Sequence, residues 1–446
     1  MTHNAMTRDA IVAAIHTVLR DHLNSPHLDR FAPTARLNED LYLDSVLMME
    51  LLLQLELSFQ LSVPEEAFAG RAPSTVADLA ALFAAGAAQP PVTSEEPAGS
   101  VHGEEYVDIK VHCFVSNVCD GLKRAGIDHR PFYFGVWDAD FAVGEDWVLR
   151  YHAPTVSHDF FRDWFHRLYG AEVRPWYDHG RSKADNLATL LDLVENRAET
   201  LSVMAMVDLF HLPERENKFN QNPFPHYLML EKTADPGVFF VADPDFRWEG
   251  EIAKDKIVNA FCQPSVAGGY AFDRRDLRPA RADDLKAYFE ACFRGDANPL
   301  AGAVRAIVAA HLAGTHLADT GGRNPAGLAV ALRELPVISI RKYAYEHGFA
   351  FFWRALKLPD QTFLARCDEI EELVQGFKAL HYAALRLAQT GDGGLAPDLY
   401  ARLDRLDRQE FALKRELAAV FRAWCAANGL DGAPHSRTAP RTAEVA

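Results

Sequence analysis

The chain has 446 residues, of which 49% are apolar and 24% charged, a composition typical of a globular protein with a sizeable core. Its formal net charge of −16 disfavours nucleic acid or an anionic membrane as the main partner and is compatible with a cationic substrate. The six cysteines show no C-x-x-C spacing, and neither a signal-peptide pattern nor a membrane-spanning apolar run is present, so we expect a reduced cytoplasmic protein.

The first 86 residues are predicted to form a small helical bundle. Apolar residues from Ile11 to Leu23 recur at helical spacing, and a second helix should run from Ser45 to about Phe59 with Leu57 on its apolar side. The segment that starts at Thr75 resembles a capping box before a last helix.

The start of the second helix carries the chemistry of this segment. Asp44 and Ser45 follow an apolar run and open an amphipathic helix, which is how an acyl carrier domain presents the serine that receives a 4′-phosphopantetheine arm. A helix N-terminus favours a phosphodiester because its free N–H groups and its dipole attract negative charge. We therefore predict a carrier domain over residues 1–86, with 4′-phosphopantetheine attached to Ser45 beside Asp44.

The rest of the chain divides by pattern into four further segments. Residues 87–103 are rich in Pro, Gly, Ser and Glu and read as a flexible linker, which would raise the effective concentration of carrier-bound cargo at a neighbouring site. Residues 104–278 mix helix and strand patterns, helical periodicity dominates 279–430, and the tail 431–446 is expected to be disordered. The predicted fold is multidomain: an α-helical carrier bundle, an α+β domain and a C-terminal all-α domain.

Cys113 lies at the start of a helix predicted over residues 111–125. A helix N-terminus favours the nucleophilic thiolate of a cysteine. A single cysteine is more often a small buried apolar residue, so Cys113 alone does not define a site.

A predicted hairpin supplies the partners that a nucleophilic thiol needs. When Lys232 pairs near Val238 across the turn, His226 lies opposite Asp243 or Pro244 at the same end of the sheet. An imidazole can share the proton of a thiol, and a carboxylate fixes its orientation and stabilises the imidazolium. The order Cys113, His226, Asp243 therefore indicates a catalytic triad.

These residues also resemble known families. A helix-opening Cys, a His at the start of a strand and an Asp-Pro after the next strand resemble the papain-like fold of the bacteriocin-processing cysteine peptidases. Together with residues 207–213 they resemble more closely the butirosin-biosynthesis acyltransferases. That resemblance implies transfer of an acyl group from a carrier-protein thioester to an amine.

Residues 130–138 support a narrower resemblance, to the amide-forming enzymes of petrobactin siderophore assembly. It implies transfer of 3,4-dihydroxybenzoate from an aryl carrier to a spermidine amine, and the present chain would be a fusion of carrier and enzyme. One departure from the papain-like pattern concerns the oxyanion. Papain-like peptidases place a Gln shortly before the nucleophile, whereas this chain offers the backbone N–H of Cys113, or Lys110 or His112, as alternative donors.

Several acidic and aromatic residues are candidates for binding the amine. Trp137, Asp138 and Asp140 combine carboxylates with an aromatic ring, which can bind a polyamine by charge pairs and cation–π contacts, although a solvated acidic loop has the same composition. Asp208 ends a predicted buried strand over residues 201–210 and is a further candidate. One predicted helix is interpreted as a solvated charged surface and carries Arg341, Lys342, Tyr343, Glu346 and His347.

The sequence thus predicts an acyltransferase that moves an acyl or aryl group from its own carrier, through Cys113, to an amine in amide formation for siderophore or other secondary metabolism. No metal or nucleotide motif is present, which fits cargo already activated as a thioester. The expected partners are a phosphopantetheinyl transferase, an acid-activating ligase and a small amine, with a homodimer possible and neither nucleic acid nor membrane. A carrier-linked thioesterase, a non-catalytic carrier-docking protein, and direct attack with His226 only as base remain alternatives, as does transfer in trans.

Overall fold

The computed structural model describes residues 6–38, 40–43, 45–61, 63, 73–84, 112–215, 222–245, 248–313 and 324–430, without the side chains of Ser45 and Val46. The predicted linker 87–103 and tail 431–446 lie outside these described residues.

The helices begin and end as follows: α1 (Arg8–Asp21), α2 (Ser45–Phe59), α3 (Val76–Ala84), α4 (Cys113–Arg124), α5 (Asp159–Tyr169), α6 (Lys183–Asn196), α7 (Lys254–Cys262), α8 (Ala282–Cys292), α9 (Pro299–Ala313), α10 (Leu328–Ala331), α11 (Leu335–Ser339), α12 (Ala344–Leu356), α13 (Asp360–Thr390) and α14 (Ala396–Ala427). The strands are β1 (Ala142–Val143), β2 (Leu149–Arg150), β3 (Arg174–Pro175), β4 (Leu201–Asp208), β5 (Pro225–Lys232), β6 (Val238–Asp243), β7 (Trp248–Ala253) and β8 (Gly269–Asp273).

Helices α1, α2 and α3 share one core, as the apolar spacing predicts. Ile11, Ile15, Val18 and Leu19 are buried in it. The predicted capping box is confirmed, because Thr75 Oγ1 accepts from the Asp78 amide at 3.1 Å and Asp78 Oδ2 accepts from the Thr75 amide at 2.9 Å. The prediction for Leu57 is wrong, since its side chain is 41% exposed while α2 turns Leu51, Leu52, Leu53 and Leu55 inwards.

The carrier-like bundle contacts the C-terminal helices through α2 and α13. Tyr382 of α13 is buried among the core residues of the bundle, and its hydroxyl donates to Glu56. Arg386 Nη2 lies 3.0 Å from Glu56 Oε1, and Gln54 Nε2 donates to Gln389 Oε1 at 3.4 Å. One face of α13 therefore contacts the bundle through the buried Tyr382 ring and a few polar side chains.

An antiparallel sheet in the order β3-β8-β4-β5-β6-β7, six-stranded within the described ranges, forms the middle of the molecule. The predicted strands over 201–210, 227–232 and 238–242 are confirmed as β4, β5 and β6, with ends that shift by one or two residues. Lys232 pairs with Phe239, one residue further than expected. The predicted helix over 111–125 is confirmed as α4, which packs on β5, and the buried Asn117 links the two by donating to the Tyr227 carbonyl at 3.0 Å.

The helical region after residue 282 packs against the middle domain through a buried ionic cluster. Lys342 Nζ donates to Asp138 Oδ1 at 2.9 Å and to Glu410 Oε1 at 2.5 Å, and Lys414 Nζ donates to Asp138 Oδ2 at 2.7 Å. These four side chains are nearly inaccessible to solvent, and their charges neutralise one another. No helix among the described residues is both long and apolar enough to cross a membrane.

The prediction of a solvated charged helix near residue 341 is wrong. Arg341, Lys342, Glu346 and His347 are all buried, because this turn and the start of α12 lie between the middle domain and α13–α14 rather than at the surface. Helical charge spacing alone cannot show that a second domain covers that face.

Candidate active site

The N-terminus of α4 is held in place by the segment that follows β6. The backbone N–H of His112 donates to Asp245 Oδ1 at 3.0 Å, and the Ser116 hydroxyl donates to the same oxygen at 2.7 Å. The His112 ring caps the helix itself, since its Nδ1 accepts from the Val115 amide at 3.5 Å. The first turn of α4, which carries the half-buried Cys113, is therefore fixed from both sides.

The antiparallel pairing of β5 and β6 brings an imidazole and a carboxylate together. His226 Nε2 lies 2.9 Å from Asp243 Oδ1, and the His226 side chain also hydrogen-bonds the Cys113 side chain. The other carboxylate oxygen of Asp243 accepts from Arg215 Nη2 at 2.6 Å. Arg215 in turn stacks over the Trp248 ring at 4.2 Å. The structure thus places Cys113, His226 and Asp243 in one continuous chain of contacts.

The charge state of His226 follows from this pairing. Burial on its own lowers the pKa of the imidazole, but the charge of Asp243, its hydrogen bond and the contact with Cys113 outweigh burial and raise the pKa to about 10. Burial likewise favours neutral Asp243, yet His226 and Arg215 hold its pKa below the ordinary value. His226 is therefore an imidazolium at neutral pH, with a buried carboxylate as its counter-ion.

Asp243→Asn should lower the pKa of His226 below 6.5, because the neutral amide removes the charge that opposes burial. The folded-state pKa of His226 lies above its ordinary value, so the stabilisation by the ion pair is complete below about pH 6.5 and is lost as pH rises through about 10. We expect the variant to lose about 3 kcal/mol of unfolding free energy near neutral pH, and the difference from the parent to shrink towards pH 10. Urea unfolding across this pH range and an NMR titration of labelled histidine measure both effects.

Asp163→Asn is the matched control for this variant, because Asp163 is an exposed residue of α5. It should leave the pKa of His226 and the unfolding curve unchanged. An unaltered His226 titration in Asp243→Asn would contradict the assignment of the counter-ion.

A cleft opens in front of Cys113 and His226. Residues from both the middle domain and the helical region form its walls: His112, Cys113, Tyr151, His152, Val156, His158, Met206, Phe224, Pro225, His226, Tyr227, Asp245, Val337, Ile340 and Arg341. Most of this lining is apolar or aromatic, as is common for pockets that bury an organic ligand.

The other histidines of the cleft differ from His226 in charge. Burial lowers the pKa of His158 to about 3 and the pKa of His112 well below its ordinary value, and the charge of Arg341 adds to both effects. The pKa of His152 is also lowered by burial. These three imidazoles are therefore neutral at pH 7, so the positive charge of the cleft resides on His226 and Arg341.

Asp208, a candidate for binding the amine, lies outside the cleft lining. Its Oδ1 accepts from the backbone amides of Phe210 at 3.1 Å and Phe224 at 2.8 Å, and its Oδ2 accepts from the Ser265 hydroxyl at 2.7 Å. These contacts engage both oxygens in tying three loops to the end of β4. Asp208 thus holds the end of β4 against Phe224, which lines the cleft.

The structure does not bring Trp137, Asp138 or Asp140 into the cleft. Trp137 is buried and stacks on Tyr345 with ring centroids 4.8 Å apart, and Asp138 belongs to the buried ionic cluster. Only Asp140 has an exposed side chain, 3.6 Å from Arg294. Trp137 and Asp138 are therefore not part of an acidic surface, because the buried Lys342 and Lys414 of the helical region neutralise the Asp138 carboxylate.

Helix α2 begins at Ser45, which puts the predicted attachment serine at a helix N-terminus. Tyr42, shortly before it, is 52% exposed. Asp44 and the side chain of Ser45 lie outside the described residues. A helix start favours a phosphodiester through the positive end of its dipole.

Three residues that the sequence analysis did not single out contribute to this site: Arg215, Asp245 and, in this role, Arg341. Asp245 has a weak sequence signal, because it follows Asp243 by two residues and the segment after a strand often reaches a site. Arg215 and Arg341 have none, since only the tertiary fold brings them to Asp243 and to the cleft.

A thiol on a helix N-terminus, an imidazole and a carboxylate on neighbouring strands, and a helical region that closes the cleft are found here in a single chain. The chain belongs to the DUF6005 family: the N-terminal domain of the family matches residues 108–277 and the C-terminal domain matches residues 283–438. The Cys113 site lies in the first match and Arg341 in the second.

Two relatives extend this result. Petrobactin synthase of Bacillus anthracis is 40% identical over 317 residues, which cover 71% of this chain and 95% of that protein. Acyl carrier protein AsbD of the same organism is 34% identical over 74 residues, which cover 17% of this chain and 81% of that protein. The predicted resemblances to a petrobactin-assembly enzyme and to an acyl carrier protein are thereby confirmed.

Proposed function

We propose that this protein is a carrier-linked acyltransferase that forms an amide for siderophore biosynthesis. In this proposal Cys113, His226 and Asp243 transfer an acyl or aryl group from a phosphopantetheine thioester on Ser45 to an amine. The observation that carries the proposal is the contact of His226 with both Cys113 and Asp243 in an apolar cleft, in a chain that is also similar to an acyl carrier protein.

The arm, once attached to Ser45, would present its cargo as a thioester, which is already activated for transfer. The Cys113 sulfur, having passed its proton to His226, would attack the thioester carbonyl carbon, and the carbonyl π electrons would move to oxygen. When the carbon–sulfur bond to the arm breaks, His226 returns a proton to the departing sulfur. The acyl group is then held on Cys113 as a second thioester of similar energy.

The amine completes the reaction by attacking the Cys113 thioester. His226 takes the proton of the amine, the bond between carbonyl carbon and Cys113 sulfur breaks, and an amide is released. Asp243 keeps the imidazole oriented through both steps and stabilises its positive form. The apolar walls of the cleft favour this outcome because they exclude water, which would compete with the amine.

The arrangement of the three residues supports a papain-like catalytic domain. In this proposal the nucleophile opens a helix that packs on an antiparallel sheet, and the base and the carboxylate follow on adjacent strands of that sheet. Because Nε2 of His226 contacts Asp243, Nδ1 is the nitrogen available to the thiol. The similarity to petrobactin synthase supports a role in siderophore assembly. A dihydroxybenzoyl group as cargo and a polyamine as acceptor are what the resemblance noted for residues 130–138 implies.

Intact-protein mass spectrometry tests the proposed reaction with the full chain. After incubation with a phosphopantetheinyl transferase, the protein should gain the mass of one arm, and then of a dihydroxybenzoyl group when the free acid, ATP and an activating ligase are added. Addition of spermidine should remove the acyl mass within one turnover and yield the aryl amide. Release of free acid at the same rate with and without spermidine would instead identify a hydrolase.

A further inference from the structure

Arg341 reaches the Cys113 cleft from the helical region. It lies in a 3₁₀ turn (Ile340–Tyr343) between α11 and α12, and together with Val337 and Ile340 it forms the wall that this region contributes. The side chain is buried, and Nη1 donates to the backbone carbonyls of Ala139 at 3.2 Å and Asp140 at 2.9 Å. The guanidinium is thus anchored by one of its nitrogens in a fixed position on the cleft wall.

The anchoring leaves most of the guanidinium available to the cleft. An arginine side chain has five N–H donors, and only those on Nη1 make the two carbonyl contacts. Carbonyl oxygens are neutral acceptors, so they position the group without cancelling its charge. A buried cation with no carboxylate in these contacts must find negative charge elsewhere.

The strongest favourable charge interaction of Arg341 is with the Cys113 sulfur. Burial lowers the pKa of the guanidinium, and the charges that oppose this effect are first Cys113, then Asp140, Asp245 and Tyr151. An arginine remains protonated even when it is buried. Arg341 and Cys113 line the same cleft, so the guanidinium is placed to act on the sulfur when that atom carries negative charge in the attack.

We propose that Arg341 stabilises the negative charge of the Cys113 sulfur and, during attack, of the thioester carbonyl oxygen. In this role it supplies an N–H donor, with a positive charge, in place of the neutral N–H donor of the Gln that this chain lacks before the nucleophile, so the helical domain completes the site. This inference rests on the proposed function. The bonds formed and broken are those of the attack described above, in which the carbonyl π electrons move to oxygen when the sulfur–carbon bond forms. Arg341 keeps all its protons throughout.

The proposal is testable through the thiol itself, without any substrate. The rate of Cys113 alkylation by iodoacetamide is measured against pH by peptide mass spectrometry, in a Cys262→Ser background because Cys262 is exposed. Arg341→Met keeps an apolar stem and removes the charge, so the pH midpoint of alkylation should rise by about one unit. Arg341→Lys keeps the charge, and its midpoint should stay within about 0.3 units of the parent.

Other titratable groups around Cys113 must stay the same when the variants are compared. The titratable groups that face the same cleft are His226, Asp245, His112, His152, His158, Tyr151 and Tyr227, and none of them is altered in these variants. Arg305→Met removes an arginine from α9 in the same helical region, where Arg305 pairs with Asp404 at 2.6 Å and does not line the cleft. This variant should leave the alkylation midpoint unchanged.

The outcomes separate this inference from the proposed function. An unchanged midpoint in Arg341→Met, with or without loss of transfer, would overturn the role of Arg341 and leave the acyltransferase intact. If Arg341→Met does not fold, Arg341→Lys tests the role of the charge instead. A rise of a full unit in its alkylation midpoint, with the positive charge retained, would contradict that role. Failure of the proposed function itself would appear elsewhere, as full transfer by a variant without Cys113.

Discussion

Cys113→Ala should abolish amide formation while Ser45 still accepts its arm and its acyl group. The reason is that the thiol forms the covalent intermediate, and alanine offers no atom that can take the acyl group from the arm. We expect the transfer rate to fall by a factor on the order of 1,000 or more. Amide product is measured by mass spectrometry in a single turnover, with the acylated carrier prepared in advance.

A matched control comes from another cysteine of the middle domain. Cys262 ends α7 and is exposed, so Cys262→Ala makes the same chemical change away from the cleft and should transfer at the parental rate. The fold should survive both substitutions, since Cys113 is half-buried at a helix start and its removal leaves the Asp245 contacts to the His112 amide and Ser116 in place.

The parent protein offers a second readout of the same step. When the amine is withheld, acyl mass should accumulate on the peptide that contains Cys113 as well as on the peptide that contains Ser45. Full transfer by Cys113→Ala, without acyl mass on the Cys113 peptide of the parent, would show that the amine attacks the carrier thioester directly. His226 would then act only as a base.

The sequence predicts that Cys113, His226 and Asp243 lie together, because their proximity is set by local structure. A turn between two short apolar strands places His226 and Asp243 at one end of a hairpin, and a register error of one residue does not separate them. The position of Cys113 is also local, since it follows from where α4 begins. Such features depend on strand periodicity and helix starts, which are visible in the sequence.

Residues that depend on packing between domains could not be predicted in the same way. Asp138 and Trp137 have the composition of an acidic, amine-binding loop, and only the arrival of Lys342 and Lys414 from the helical region buries and neutralises them. Arg341 has the spacing of a solvated helix, and only the contact of that helix with the middle domain directs it into the cleft. A sequence shows where the charged residues are, but not which of them come into contact when they lie more than 200 positions apart.

Ser45→Ala should abolish arm attachment and, with it, transfer from the chain's own carrier domain. The hydroxyl at the start of α2 is the atom that would bond the phosphate of the arm, and alanine has none. Intact mass after treatment with a phosphopantetheinyl transferase should stay at the value of the untreated protein. Ser58→Ala, an exposed serine near the end of the same helix, should be modified and active like the parent.

The Ser45→Ala variant also decides whether cargo passes within one chain. Mixed with Cys113→Ala, it supplies an intact thiol to a partner that has an intact arm, so any amide formed must arise between two molecules. A tethered carrier meets its own site at an effective concentration of about 1 mM, so at about 1 µM of each variant the mixture should react on the order of 1,000-fold more slowly than the parent.

The dependence of that mixture on concentration identifies the route. For transfer within one chain, the parental rate per molecule is independent of dilution, whereas the rate of the mixture falls in proportion to the partner concentration. A mixture that recovers a large, dilution-independent fraction of the parental rate would instead require a stable dimer in which each carrier serves its neighbour.

The contact of Glu56 with Tyr382 and Arg386 affects transfer within one chain, because the carrier-like bundle must dissociate from α13 before it can deliver its cargo to the cleft. The partly exposed ion pair of Arg386 with Glu56 contributes no more than about 1 kcal/mol to this contact. The buried ring of Tyr382 adds an apolar part that delivery within the chain must also break.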